Sequence, residues 1–170
     1  MASPLDNLCG PGKALRKEAP DANELAGLKR SGLTRLADAQ KQANSVESRF
    51  DLAYNAAHAL CLAGLRHAGY RAANRYIVFQ VLPHTLGLGP EVWRVLARCH
   101  DVRNRGEYEG DLAVDERLLA DLIQACKTVS GKDDRETRLI ARLRPDTLPE
   151  TQRVDRGLSP LAARRLGRVR

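Results

Sequence analysis

The chain has 170 residues, of which 43% are hydrophobic and 29% charged, a composition typical of a soluble globular protein. No apolar run approaches the roughly 20 residues that a membrane span requires, and no glycine-rich phosphate loop of the Walker or Rossmann form is present. The four cysteines form no CxxC pair and show no Cys/His ligand spacing, so we expect a reduced, cytoplasmic protein with no metal site and no cofactor.

Most of the net charge of +7 belongs to the C-terminal segment. Residues 130–170 contain 11 basic and 6 acidic side chains, and four arginines fall within the last seven positions. Such a segment can contact nucleic-acid phosphates without sequence preference, and on this feature alone the chain could be a DNA-associated accessory protein. The same composition is typical of a solvated, disordered end.

The first predicted helix follows an N-terminal arm. Residues 1–20 contain Gly10, Pro11 and further breakers of regular structure, so we expect an arm with at most one helical turn. Asp21, followed three residues later by Glu24, resembles a capping box. Leucines at helical spacing follow, and we expect this helix to end at about residue 43.

The second and third helices are predicted from their apolar spacing and their breakers. Ser45 can cap the second helix, whose apolar stripe ends at Gly69. Its many Ala and Gly residues allow a neighbouring helix to approach closely. Residues 73–86 predict a third helix, with a buried strand over residues 77–82 as the alternative. Pro83 argues against a central strand and favours an interrupted helix.

The second half of the chain predicts two or three further helices. Pro90 is well placed as the first residue of the fourth helix, and Gly106 and Gly110 bracket a predicted break. A fifth helix starts near Asp115, and residues 130–144 predict a last, more polar one. Short connections favour antiparallel neighbours, so we predict an all-α, antiparallel bundle of four to five helices. Its predicted core includes Phe50, Tyr54, Leu60, Leu65, Phe79, Leu96, Leu119 and Ile123.

The densest polar cluster, residues 98–109, ends the apolar fourth helix. His100 and Asn104 share one side of a helix at i, i+4, and so do Arg103 and Glu107. The cluster is either a solvated helix end with weak ion pairs or a phosphate-facing site. In such a site arginine supplies a fork of donors, asparagine orients the substrate, and histidine or tyrosine moves a proton.

Four segments, in this order, resemble the HEPN superfamily of small helical bundles. The resemblance covers about residues 21–129 and implies a component of a toxin–antitoxin or phage-defence module, often paired with a minimal nucleotidyltransferase. The segments are RFDLAYNAAH at 49–58, GYR at 69–71, LPHTL at 82–86 and VRNRGEY at 102–108.

The ribonuclease motif of that superfamily is an arginine, often followed by a polar residue, and then a histidine four to six residues later. Arg103 and Asn104 match its first two positions, but Tyr108 stands near the expected histidine and no histidine follows it. The protein is then either a metal-independent ribonuclease, in which Tyr108 or His100 moves the proton, or a non-catalytic partner that binds RNA, a nucleotide or the nucleotidyltransferase. Tyr108 could also be the residue that the partner adenylylates, or an anchor at a helix end with a buried ring.

The resemblance further implies a homodimer, in which two copies of the motif face one basic cleft. Arg98 and Arg105 would add phosphate-binding side chains to Arg103 there. Asp51 and Asn55, at i, i+4 on the second helix, could support Arg103 across the bundle or only cap its polar edge. The bundle of residues 21–129 would then lie between the N-terminal arm, 1–20, and a basic C-terminal extension, 130–170, that is partly helical or disordered.

Overall fold

A computed structural model describes residues 3–109 and 114–143, with all their side chains except those of residues 109, 133 and 136–143. Its contacts divide the chain into two units, Met1–Arg135 and Glu136–Arg170, and the core and the candidate site lie in the first. The described residues are mostly helical, which confirms the all-α class. None of the helices in the described ranges has both the length and the apolar composition that crossing a membrane requires. The predicted basic tail beyond residue 143 lies outside the described residues.

The first two helices begin at the caps that their sequences predict. Helix α1 spans Ala22–Ala39, and the carboxylate of its N-cap, Asp21, accepts a hydrogen bond from a backbone amide three residues later at 2.8 Å. Helix α2 spans Val46–His67, and its N-cap Ser45 accepts a hydrogen bond in the same way at 3.2 Å. Helix α1 ends about four residues before the predicted position, because the amides of residues 40, 41 and 44 bond to carbonyls three residues back.

Helices α1 and α2 approach each other closely at Gly32. A Cβ atom on Gly32 would lie 2.8 Å from Cγ of Leu60 and 3.3 Å from the backbone oxygen of Ala56. The missing side chain of Gly32 therefore sets how closely the two backbones can approach.

The N-terminal arm contains the helical turn that its sequence allows and a strand that its sequence does not indicate. Residues Pro4–Leu8 form a 3-10 helix, and strand β1 (Leu15–Lys17) pairs antiparallel with strand β2 (Tyr70–Ala72). Leu5 and Leu15 are buried in the core. The sequence does not predict β2, because a strand of three residues is too short to show the alternation that predicts strands.

A buried arginine ties this segment to the helices. Arg66 of α2 is 1% exposed, and its guanidinium group donates to the carboxylate of Glu24 at 3.0 Å and to that of Glu18 at 3.3 Å. It also donates to the backbone oxygen of Ala19 at 3.1 Å. A buried cation is tolerated when it is paired and hydrogen-bonded in this way, so Arg66 holds residues 18 and 19 against α1 and α2.

The predicted third helix is divided into two. Helix α3 spans Arg75–Gln80 and helix α4 spans Leu82–Thr85, with Val81 between them. Pro83 lies in the first turn of α4, where its missing N–H group breaks no helical hydrogen bond. The alternative of a buried strand over residues 77–82 is wrong.

The last two helices are longer than predicted. Helix α5 spans Pro90–Glu109 and begins at the predicted proline, but it continues through Gly106, so no break occurs there. Helix α6 spans Glu116–Leu143 without interruption, and the separate last helix predicted for residues 130–144 is therefore its continuation. Gly110, the predicted end of the break, lies outside the described residues.

The apolar faces of these helices form one core. One side of α5 buries Val92, Leu96, Cys99 and Val102. The polar cluster therefore lies on an adjacent face of the same helix. All eight predicted core residues are buried, which confirms the hydrophobic pattern of the sequence: Phe50, Tyr54, Leu60, Leu65, Phe79, Leu96, Leu119 and Ile123.

Candidate functional site

The polar face of α5 joins its residues in the two predicted pairs. The side-chain amide of Asn104 donates to Nε2 of His100 at 3.0 Å. Nη2 of Arg103 donates to the Glu107 carboxylate at 2.6 Å. Both pairs are at i, i+4, so one helix presents an imidazole, a guanidinium, an amide and a carboxylate within two turns.

Tyr54 of α2 completes the surroundings of His100. Its hydroxyl oxygen lies 2.7 Å from Nδ1 of His100, and its side chain is fully buried. Because the Asn104 amide donates to Nε2, the neutral imidazole carries its proton on Nδ1 and donates it to the Tyr54 oxygen. Two hydrogen bonds from two helices thus fix both the orientation and the tautomer of this ring.

The groups at the centre of the site are uncharged at neutral pH. Burial lowers the pKa of His100 below its usual value, and the guanidinium groups of Arg103 and Arg75 lower it further, against the opposing effect of nearby carboxylates. Burial also raises the pKa of Tyr54, so its phenol keeps its proton. The unprotonated nitrogen of the neutral His100 ring is therefore available to accept a proton.

Arg103 is placed over the same tyrosine. Its guanidinium carbon lies 5.1 Å from the centre of the Tyr54 ring, a cation–π distance. Nε of Arg103 is buried and has no hydrogen-bond partner among the described residues, since Oδ1 of Asp51 is 3.8 Å away. The guanidinium is therefore held by a ring face and by Glu107, and it keeps an unused donor.

Aromatic rings surround the other sides of His100. The centre of the Tyr76 ring lies 5.3 Å from that of His100 at an interplanar angle of 30°, and the Phe79 ring lies 6.3 Å away. The ring of His58, on α2, is nearly perpendicular to that of Phe79, with ring centres 6.1 Å apart. Burial, followed by the nearby positive charge of Arg75, lowers the pKa of His58 to about 4.

The predicted supporting residues are placed differently from each other. Asp51 forms a long ion pair with Arg103 and is mostly exposed. Asn55 does not reach Arg103: its amide nitrogen donates to the Asp51 backbone oxygen at 2.8 Å, and its oxygen accepts from Nη1 of Arg75 at 3.2 Å. Asp51 thus contacts Arg103 as predicted, whereas Asn55 contacts Arg75 instead.

Three predicted site residues lie away from this cluster. Arg98 and Arg105 are exposed, and on an α-helix they point roughly 140° and 160° away from Arg103. One chain therefore does not bring the three arginines together. Tyr108 is 90% exposed, so the alternative of an anchor with a buried ring is wrong.

The residues that α2 and α3 contribute to the site are not predicted as site residues from the sequence. Tyr54 was predicted only as a core residue, and Arg75 and Tyr76 were not singled out. The Tyr54/His58 pair at i, i+4 on an apolar stripe was the available signal, because buried polar tips need partners. No short motif marks Arg75 and Tyr76, which are the first two residues of α3.

Among the described residues, no group of three or more His, Cys, Asp or Glu side chains is arranged to hold a metal ion. Comparisons of the chain with protein-family models, with curated proteins and with solved structures find no match. The geometry of this cluster and the motif in which it lies are therefore the features from which a function can be inferred.

Proposed function

We propose that this chain is a HEPN-like component of a cytoplasmic toxin–antitoxin or phage-defence module, and that it cleaves RNA without a metal ion. The observation that carries the proposal is the fixed His100 ring beside Arg103. A neutral imidazole, oriented through both nitrogens, lies on the same helix face as the guanidinium of Arg103, whose side chain is 20% exposed. A base next to a phosphate-binding cation is what RNA cleavage by its own 2′-hydroxyl requires.

The proposed reaction uses only groups of this site and of RNA. His100 accepts the proton of a ribose 2′-hydroxyl at Nε2, and the 2′-oxygen attacks the adjacent phosphorus. The P–O5′ bond breaks, the departing 5′-oxygen takes a proton from solvent, and a 2′,3′-cyclic phosphate forms. Arg103 stabilises the charge on the phosphate oxygens. The side-chain amide of Asn104 releases Nε2 of His100 and donates its hydrogen bond to the substrate instead. Tyr54 holds the imidazole at its other nitrogen throughout.

The test is an RNA cleavage assay in the presence of EDTA, with the cyclic phosphate identified by mass. We expect His100→Gln to lower the cleavage rate by at least about 100-fold, because general-base catalysis contributes that much or more. Arg103→Ala should weaken RNA binding by about 10- to 100-fold, the range for losing a hydrogen bond to a charged group. The control is His84→Gln at an exposed histidine of α4, which should leave cleavage unchanged. Equal rates for His100→Gln and wild type would exclude His100 as the base.

A second candidate is a non-catalytic protein that binds RNA, a nucleotide or a nucleotidyltransferase. It is favoured by the observation that both nitrogens of His100 and one terminal nitrogen of Arg103 are already occupied by groups of the chain. The same assay separates the two candidates. If wild type binds RNA, Arg103→Ala loses that binding and no cleavage occurs at any pH between 6 and 9, the binding function replaces the enzymatic one.

The roles proposed for Tyr108 and for a homodimer rest on one observation, the exposure of that side chain. A phenol that is 90% exposed, five residues beyond Arg103, is accessible to a modifying enzyme or to a second copy of the chain. If a nucleotidyltransferase adenylylates it, Tyr108→Phe abolishes the mass increase. If two motifs meet at a dimer interface, Tyr108→Asp converts dimer to monomer in light scattering at tens of micromolar. A wild-type monomer at that concentration contradicts the shared cleft.

A further inference from the structure

Two residues beside His100 have no part in the reaction just described. Arg75 and Tyr76 begin helix α3, next to the N-cap Asn74. Arg75 is exposed and Tyr76 is half-buried, so both keep surface available to a ligand. Neither is required by the core, whose α3 members are Ile77, Val78 and Phe79.

Their side chains adjoin the proposed reaction centre on the side formed by α2 and α3. The Tyr76 ring is tilted by 30° against the His100 ring, with centres 5.3 Å apart. Nη1 of Arg75 donates to Asn55 on α2 at 3.2 Å. Arg103 reaches the same group of rings from α5, over Tyr54. The ring of Tyr76 thus lies beside His100, and the guanidinium groups of Arg75 and Arg103, from two different helices, are near enough to lower its pKa.

We propose that Arg75 and Tyr76 form a binding site for one nucleotide of single-stranded RNA next to the phosphate held by Arg103. This inference rests on the proposed function and names its substrate class. One base stacks on the exposed part of Tyr76, whose ring is tilted by 30° against that of His100. The phosphate of that nucleotide binds Arg75, and the neighbouring phosphate binds Arg103.

The chemistry of the site selects single strands. In an A-form duplex each base is paired and stacked inside the helix, so its flat face cannot lie on a protein side chain. Every unpaired base has such a face, and stacking on an aromatic side chain is tolerant of sequence. A site made of one tyrosine and two guanidinium groups therefore favours single-stranded over double-stranded RNA, with little preference among the four bases.

The experiment measures binding of the full chain to fluorescently labelled pentanucleotides whose 2′-fluoro sugars prevent cleavage. A set of five probes carries one abasic sugar at each position in turn, and a sixth probe is complete. With wild type, one position should lose about tenfold in affinity when its base is removed, within the range of 1–3 kcal/mol for a stacked base. A duplex of the same sequence should bind about tenfold more weakly than the single strand at equal salt.

Variants link the lost base to Tyr76. Tyr76→Leu should bind the complete probe about tenfold more weakly and should be insensitive to the abasic position. Tyr76→Phe is the matched control, because it keeps the ring face and should bind within twofold of wild type. Arg75→Gln at an exposed position should reduce affinity severalfold and should lower the salt dependence of binding by about one phosphate contact. This variant and the abasic probes require no change to a packed side chain.

The outcomes distinguish this inference from the proposed function. The inference is overturned if each abasic probe lowers the affinity of Tyr76→Leu by the same factor as it lowers the affinity of wild type. It is also overturned if duplex RNA binds as tightly as single-stranded RNA. In either case the proposed function survives as long as Arg103→Ala weakens binding and His100→Gln stops cleavage. If wild type binds none of the probes, both proposals fail.

Discussion

The protonation of His58 should make the stability of the protein depend on pH in a defined window. His58 lies half-buried at the edge of Phe79, and its surroundings lower its pKa to about 4. In the unfolded chain the pKa of a histidine is about 6.5. Between these two pH values the unfolded chain binds a proton at His58 that the folded chain excludes, so the free energy of unfolding rises with pH. The contribution of His58 to this free energy is fully present above about pH 6.5.

The size of the effect follows from the difference between these pKa values. One pKa unit corresponds to about 1.4 kcal/mol, so His58 should remove about 3 kcal/mol of stability as the pH falls from 6.5 to 4. The pKa of His100 is also lowered, and its contribution has the same sign. A loss of this size is a substantial part of the 5–15 kcal/mol that is typical of a domain.

Urea unfolding at intervals from pH 4 to pH 8 measures this dependence. His58→Gln removes the titrating group and keeps a polar side chain. Between pH 4 and pH 6.5 the free energy of unfolding of this variant should therefore change by about 3 kcal/mol less than that of wild type. Asp6 and Glu18, whose pKa values are also lowered, contribute equally to both proteins and cancel in the difference. His84→Gln at an exposed position serves as the control. A difference between wild type and His58→Gln that does not vary with pH would refute the assigned environment of His58.

Three further predictions test the packing and the electrostatics of the site. Gly27→Ala places a methyl group in open space on α1 and should raise the free energy of unfolding, measured in urea, by about 0.5–1 kcal/mol. Gly32→Ala on the same helix meets Leu60, so the free energy of unfolding of this variant should be about 1–3 kcal/mol lower than that of Gly27→Ala. Tyr54→Phe should lower that free energy by about 1–3 kcal/mol, because Nδ1 of the half-buried imidazole loses its partner; no loss would mean that the hydroxyl is not bonded there. Glu107→Gln should tighten RNA binding severalfold in fluorescence anisotropy by freeing the guanidinium, whereas Glu91→Gln, about 24 Å away on the same helix, should not. Equal effects of both substitutions would indicate a general charge effect instead.

The helices and the core were largely predictable because their signals are local. Caps such as Asp21 and Ser45 act on amides three residues away, and the 3.6-residue period places the buried side chains on one face. The parts that were missed depend on contacts between distant residues. Strand β1 exists because residues 15–17 meet residues 70–72, and neither segment shows a period of its own.

The same division applies to the candidate site. The pairs within α5, His100 with Asn104 and Arg103 with Glu107, follow from helix geometry alone and are confirmed. The contact between Tyr54 and His100 joins residues 46 positions apart, and one sequence gives no information about such pairing. The basic cleft that the resemblance implies also grouped Arg98 and Arg105 with Arg103, although a helix turns by about 100° per residue and points them elsewhere on one chain.

The most direct test of the central claim is to observe the imidazole signals of the protein by nitrogen-detected NMR while single-stranded RNA is added. If His100 and Arg103 form an RNA site, the ring signals of His100 shift with increasing RNA and reach saturation, the exposed His84 signals stay in place, and Arg103→Ala greatly weakens the response. If RNA binds, as shown by its own phosphorus signals, while the His100 ring signals remain unchanged, the site lies elsewhere and the account is contradicted.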